Sequence, residues 1–236
     1  MSGRDCVRVR VAGPYACFSR PEMKVERVSY EVMTPSAARG LLEAILWHPE
    51  IRWVVRRIEV LRPVRFAAVR RNEVQSKIAP RSVNGWISAP STYKPFPAGA
   101  GSEEATPRNT LALRDVAYVI EAEPHVYQPN GQNSPIKYRE MFQRRVEKGQ
   151  CFHRPYLGCR EFACSFAPPD DSEHPITETR DLGLMLYDVT FRPGNVGNQP
   201  VFFAARLETG VLDTTPERVL SDPVQREEVL LCSCKR

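Results

Sequence analysis

Lys137 and Tyr138 follow Ser134-Pro135 closely enough to share the first turn of one helix. Ser134 suits the N-cap, and Pro135 suits the first helical position, where its missing N–H is no loss. A cation in that turn faces the positive end of the helix dipole, which is unfavourable unless an anion sits there. The free backbone N–H groups at the same end favour phosphate. Lys137 therefore reads as a phosphate contact or, failing that, as an ordinary surface lysine. Tyr138 opens an apolar stripe with Met141, Phe142 and Val146, so it is either a reactive phenol or a core ring with a polar tip. His48, before Pro49, is the third candidate, because imidazole takes and gives protons near neutral pH; a cap or surface role is its plainer reading. His125, His153 and His174 have no spacing that pairs them. GxxxxGK[ST], HExxH, GxSxG and a two-metal acidic cluster are all missing. If the chain cuts a polymer, metal-independent cleavage of RNA fits, since RNA carries its own nucleophile in the 2′-OH. Neither a metal nor a cofactor is expected.

These residues need a scaffold, and residues 27–63 supply its clearest part. Thr34 and Pro35 repeat the cap-and-proline arrangement, and Ala38, Leu41, Leu42 and Ile45 fall at i, i+3, i+4, i+7. His48-Pro49 is expected to end this helix. Ile51 to Val60, rich in Val, Ile and Trp, reads as a strand. Val7 to Val11 alternates strictly and gives an earlier strand, broken at Gly13-Pro14. Leu111 to Val126 resumes strand character, the second helix runs from Ser134-Pro135 to about Lys148 with Gly149 as its stop, and Tyr156 to Phe162 is a short closing strand.

The order β-α-β-(hairpin)-β-α-β predicts an α+β chain built on the ferredoxin-like, RRM-like plan. A hairpin insertion is expected over 62–81, projecting around Arg70-Arg71-Asn72-Glu73. Residues 82–109 lack periodicity and read as a long loop. Ala167 to Glu178 is a loop, and strands at 182–191 and 201–212 suggest a small antiparallel C-terminal domain. Its tail beyond Pro216 has no clear order. The expected division is 1–162 and 163–236.

At 236 residues with 42% hydrophobic content, the chain can bury a sizeable core. No apolar run reaches bilayer-spanning length, and the first residues carry no signal-peptide pattern. Seven cysteines with no CxxC suit a reducing cytoplasm rather than a zinc site or disulfides. The net charge of +5 is unevenly spread. Residues 56–81 hold eight Arg or Lys against Glu59 and Glu73, and residues 137–154 hold six against Glu140 and Glu147. The segment after 154 holds eight basic against thirteen acidic residues. Two basic segments on a neutral-to-acidic body suggest a polyanion-facing side; two solvated faces are the alternative. The candidate RNA contacts are Arg70, Arg71, Lys77 and Arg81 in the hairpin and Arg144 and Arg145 on the second helix. Arg20, Lys24 and Arg27 join them from a loop with Tyr15, Phe18 and Tyr30, where aromatic rings among cations could stack bases or simply cover the sheet.

Residues 15–63, with YACFSRPEMKVERVSYEVMTPSAARGLLEAILW, resemble the N-terminal half of a CRISPR-associated RAMP protein. The most similar group is Cas family five, d type (the Dvulg subgroup, subtype I-C). RRNEVQSKI at 70–78, FQRRVEKGQCF at 142–152, YLGCREF at 156–162 and RDLGLMLYDVTF at 180–191 extend the likeness along nearly the whole chain. The resemblance implies a ferredoxin-like RAMP domain with a small β-rich companion. It also implies an endoribonuclease that cuts CRISPR precursor RNA on the 3′ side of the repeat hairpin without metal, leaving a 2′,3′-cyclic phosphate. Such an enzyme stays on the 5′ handle of the crRNA within Cascade, beside the backbone and large subunits; non-specific duplex DNA is a further candidate partner.

The family's catalytic set is an aromatic or imidazole side chain at the end of the first helix and a Lys-His pair opening the second. Lys137 matches that lysine. Tyr138 stands where the family has histidine, and Leu46 holds the first-helix position with His48 two residues on. The general base is thus open between Tyr138 and His48. A non-catalytic handle-binding subunit and a general nucleic-acid-binding module are the rival readings.

Overall fold

Val7, Val9 and Val11 point to one side and are fully buried, and they open strand β1 (Val7–Ala16). The strand does not stop at Gly13-Pro14 as expected. A Cβ at Gly13 would lie 2.6 Å from Leu157 Cδ1 and 2.7 Å from Ala163 O, so glycine is needed for close approach rather than for a break. The pairing register simply skips Pro14, which has no N–H to give. The computed structural model describes residues 6–94, 104–191 and 198–231.

Strand β2 (Arg27–Val28) precedes helix α1 (Pro35–Ile45), which is followed by strand β3 (Ile51–Val60). Thr34 caps α1 by accepting from Ala37 N–H at 3.3 Å, and Ala38, Leu41, Leu42 and Ile45 are its buried face. The helix ends at Ile45, earlier than His48-Pro49. Leu46 turns into extended backbone, buries its side chain, and its carbonyl accepts from the Trp53 indole at 2.9 Å. Burial of Leu46 thus decides the stop before the proline can.

Strand β4 (Phe66–Val74) does form a hairpin, but Arg70 to Glu73 are inside the strand and not at its tip. Its partner is the first half of strand β5 (Ala105–Val126), with Phe66 opposite Leu113 and Val74 opposite Ala105. Between them, helix α2 (Pro80–Ser88) occupies part of the expected loop over 82–109; residues 95–103 of that loop lie outside the described residues. None of its residues is buried, which is why no core-facing period marked it.

Strand β5 also pairs with β1 along one edge and with β3 along the other, all antiparallel, and briefly with β2 in parallel. Helix α3 (Pro135–Glu147) follows, capped by Ser134, with Tyr138, Phe142 and Val146 buried and Gly149 at φ +63° beyond its end. Phe142 meets Trp53 of β3 with ring centroids 4.8 Å apart, joining helix to sheet. The expected closing strand over 156–162 is not one. That segment is irregular, with one isolated bridge from Tyr156 to Ala163 and a hydrogen bond from Cys17 N–H to Leu157 O, and the strand is β6 (Ser165–Ala167) on β1.

Strands β7 (Arg180–Phe191) and β8 (Asn198–Glu208) pair antiparallel. The expected strand over 201–212 divides at Thr209-Gly210, both at positive φ, and strand β9 (Val211–Asp213) returns to pair with β3. One sheet therefore runs β6-β1-β5-β3-β9-β8-β7, with β2 and β4 added on β5. Short helices α4 (Pro216–Val219) and α5 (Pro223–Leu231) occupy the segment whose order the sequence left open. The chain is an α+β protein with a largely antiparallel sheet, and no described helix is long and apolar enough to cross a membrane.

Candidate active site and nucleic-acid interface

The exit of α1 and the start of α3 meet at one end of the sheet, and they bring His48, Lys137 and Tyr138 together. The His48 and Tyr138 ring centroids are 5.5 Å apart, and Lys137 Nζ lies 5.2 Å from the Tyr138 ring centre. Two further residues complete the cluster. His48 Nδ1 is 2.7 Å from Glu50 Oε2, and Asn133 Oδ1 accepts from Tyr138 Oη at 3.0 Å and from Lys137 Nζ at 3.4 Å. Lys137 Nζ also donates to Gln132 O at 3.0 Å. Neither Glu50 nor Asn133 stood out in the sequence. Glu50 lies two residues past the histidine, just before the strand signal of 51–60, and Asn133 lies in a turn-rich segment.

The hydrogen bond to His48 is the main reason the Glu50 carboxyl sits below its ordinary range; nearby Lys137 adds to it. An ionised carboxylate can only accept, so Nδ1 of His48 carries the hydrogen, and in the neutral ring it is Nε2 that holds the lone pair. His48 is partly exposed. That is the arrangement of an oriented base: imidazole with one nitrogen tethered and the other open.

Tyr138 is different. Its ring has no exposed surface, and burial, with Glu50 nearby, raises its pKa. The phenol therefore stays protonated, donates to Asn133, and forms a wall for the His48 ring and the Lys137 ammonium. This environment disfavours the phenolate that a base role needs. Lys137 is exposed in the first turn of α3, which itself contains no acidic side chain. Its ammonium and the N–H groups of that turn offer positive charge to one anion.

The nine expected RNA-contacting cations separate into two groups. Lys24, Arg70, Lys77, Arg81 and Arg144 are exposed and make no ion pair among the described residues. The other four are engaged. Arg20 lies over the Tyr30 ring at 4.4 Å and 3.8 Å from Glu22. Arg27 donates to Cys159 Sγ at 3.1 Å and lies 3.6 Å from Glu161. Arg71 holds Glu73 at 3.0 Å and pairs with Glu161 as well. Arg145 donates to Ile45 O at 2.6 Å, closing the C-terminal end of α1. Sequence could not separate the groups, because Cys159, Glu161 and Ile45, which engage Arg27, Arg71 and Arg145, are ninety or more residues away.

A family model described as CRISPR-associated protein (Cas_Cas5) matches residues 6–215. A CRISPR pre-crRNA endoribonuclease Cas5d of Mannheimia succiniciproducens is 46% identical over 218 residues, which is 89% of this chain and 95% of that protein. The protein of the same name from Thermus thermophilus is 44% identical over 228 residues, 90% of this chain and 92% of its own. Among solved structures, one described as a CRISPR-associated protein has a TM-score of 0.59 at 20% identity, covering 89% of this chain and 94% of that one. A functionally uncharacterised protein of Streptococcus mutans has a TM-score of 0.61 at 17% identity, covering 91% and 95%. These two share the fold.

Proposed function

The chain belongs to the Cas5d family of CRISPR-associated proteins, and from that membership we propose its function and mechanism. It is an endoribonuclease that cuts CRISPR precursor RNA. The observation that carries the reading is the near full-length identity of 46% and 44% to two pre-crRNA endoribonucleases. A lysine at an open helix start beside a tethered imidazole agrees with it.

In the proposed mechanism the RNA's own 2′-OH attacks the adjacent phosphate, in line with the departing 5′-oxygen. Nε2 of His48 takes the 2′-OH proton, with Glu50 holding the ring in the tautomer that leaves this nitrogen free. Lys137 stabilises the charge on the phosphorane. The 5′-oxygen leaves and gains a proton, and the other product ends in a 2′,3′-cyclic phosphate. Tyr138 is a positioning residue behind both groups. Lys24, Arg70, Lys77, Arg81 and Arg144 contact the RNA backbone, reading an A-form stem by shape and phosphate rather than base edge.

Around this centre the RAMP reading extends further. The strand order β6-β1-β5-β3 with α1 and α3 packed on it supports a ferredoxin-like unit over 1–162 whose edge strand β6 (Ser165–Ala167) lies just past that bound. The remainder of 163–236 forms its β-rich companion, attached through β9. After cutting, the protein keeps the 5′ handle and takes its place in Cascade beside the backbone and large subunits in the cytoplasm, with duplex DNA as a non-specific ligand.

The test is cleavage of the cognate labelled repeat RNA in EDTA, with Lys137→Ala and with a substrate carrying one 2′-deoxy nucleotide before the cut. The expected result is cutting by the parent and loss of cutting, with binding kept, for both changes. RNA that binds tightly yet stays whole under every condition makes the chain a non-catalytic handle-binding subunit instead.

A further inference from the structure

Beside the candidate site, the outer side of α1 and the segment 152–163 enclose an open groove of about 1140 Å³. One wall carries Gly40, Glu43, Ala44 and Trp47; the other carries Phe152, His153, Arg154, Tyr156 and Arg160. The walls are fixed to each other, because the Phe152 and His153 amides both donate to Ala44 O at 2.9 Å. Three large aromatic side chains are left in solvent here: Trp47 is 50% exposed, Phe152 56% and Tyr156 41%. The Trp47 and Phe152 rings lie nearly parallel, at 26° with centroids 6.4 Å apart, and His153 sits 4.3 Å from Phe152.

The charge of the groove is as telling as its rings. Its two carboxylates are already neutralised: Glu43 by Arg39 at 2.7 Å, Glu161 by Arg27 at 3.6 Å and by Arg71. Arg154 and Arg160 are exposed and make no ion pair among the described residues. What remains is exposed aromatic faces interleaved with uncommitted guanidinium groups. Exposed rings accept any base by stacking, while guanidinium groups follow the phosphates. A duplex hides its base faces within its own stack, so this surface matches unpaired nucleotides.

We propose that this groove is a stacking subsite for single-stranded RNA, with bases on Trp47, Phe152 and Tyr156 and phosphates at Arg154 and Arg160. Trp47 is the residue before His48, so the groove adjoins the segment that carries the candidate base. The inference rests on the ribonuclease reading of the neighbouring site. It adds that unpaired nucleotides next to the cut are gripped by a surface separate from the hairpin contacts.

The measurement uses the full chain and a labelled oligoadenylate, followed by fluorescence anisotropy and by tryptophan emission. A hairpin with an unpaired flank and the same hairpin cut blunt are measured in parallel. Trp47→Ala and Phe152→Ala remove a stacking face. Gly40→Leu fills the groove from α1 instead, since a Cβ there has nothing within 4 Å. Replacing a helix-interior glycine also favours the helix, and a thermal melt matching the parent's shows that lost binding in this variant does not come from a damaged fold. Each variant is expected to bind oligoadenylate and the flanked hairpin about five- to a hundredfold more weakly, with the blunt hairpin nearly unaffected. Oligoadenylate that the parent does not bind, or that Trp47→Ala and Phe152→Ala bind like the parent, overturns the proposal. So does an equal loss on the blunt hairpin, which would make the groove a duplex contact. Cleavage of the repeat RNA is scored separately. A parent that cuts, with groove variants that bind normally, defeats this inference alone. A parent that never cuts, with groove variants that lose single-strand binding, defeats the ribonuclease reading alone.

Discussion

At the candidate site, three polar residues divide the work by environment rather than by type. His48 is partly open, its Nδ1 held by Glu50, whereas Tyr138 is wholly enclosed, its phenol held protonated by burial and directed at Asn133. This difference separates a base from a support, and it yields a paired prediction. His48→Ala removes the proposed general base and should lower the single-turnover rate by about 10²–10⁴-fold with RNA affinity kept. Tyr138→Phe keeps the ring behind His48 and Lys137 and loses only the hydrogen bond to Asn133. It should cost about 1 kcal/mol of stability and reduce the rate far less. Rates measured at saturating enzyme decide between them. Equal losses from both changes would mean that the phenol itself takes part, as its place in the family's catalytic set suggests. Lys137 and Tyr138 were visible in the sequence through Ser134-Pro135, a local signal. Glu50 and Asn133 were not, because neither matters until α1 and α3 are brought to the same end of the sheet.

At the scale of elements, α1 depends on its neighbours as much as on its own sequence. Thr34 satisfies its first turn, but its last carbonyls are met from outside, by Arg145 of α3 and by the amides of 152–153. A cation on a helix C-terminus meets the negative end of the dipole, and a charged hydrogen bond is stronger than a neutral one. Arg145→Ala should therefore lower stability by about 1–2 kcal/mol and leave the salt dependence of RNA binding unchanged. Its neighbour Arg144, exposed and unengaged, should behave in the opposite way. Arg144→Ala leaves the melting temperature in place, weakens RNA binding and flattens the plot of log affinity against log salt by close to one phosphate contact. Thermal melts and binding at several salt concentrations separate the two. The sequence had grouped these arginines together. Their adjacency in a basic run is a local fact, but the carbonyl that engages one of them belongs to another helix.

The same limit explains the misplaced strands. Periodicity and caps locate β1, α1 and α3 well, because each buries a face that its own spacing reveals, and Val, Ile and Trp content locates β3, which is buried along most of its length. The sequence gives no sign of the partner of strand β4, since its ladder is with residues 105–113, across an intervening helix that buries nothing. The segment 156–162 looked like a strand from its apolar residues, yet Leu157, Cys159 and Phe162 enter the core from irregular backbone. Apolar content gave burial there, not geometry.

For the whole molecule, the question is what binds β7 and β8 to the rest, given that the sheet is continuous there through only three residue pairs of β9 on β3. Asp188 of β7 supplies a second link. Its carboxylate receives both Nε and Nη2 of Arg39 on α1 at 2.9 Å, and Nη2 of Arg52 on β3 at 2.7 Å. Asp188 and Arg52 are almost completely buried. Burial alone would raise the Asp188 pKa, but the two guanidinium groups outweigh it and the net shift is downward. Its folded pKa thus lies below the unfolded value of about 3.9. The stability it contributes is complete above that value and is lost as pH falls through the folded pKa. Asp188→Ala leaves Arg52 charged, buried and unpaired, and should cost about 3–5 kcal/mol near neutral pH. The decisive comparison is parent against Asp188→Ala in chemical denaturation at neutral pH and again below pH 3. Their difference should shrink on acidification, because the parent by then has begun to lose the same carboxylate charge. A difference that is small at neutral pH, or independent of pH, would mean that apolar packing across β7 and β8 holds the two parts together and that the buried charges serve only to fix their register.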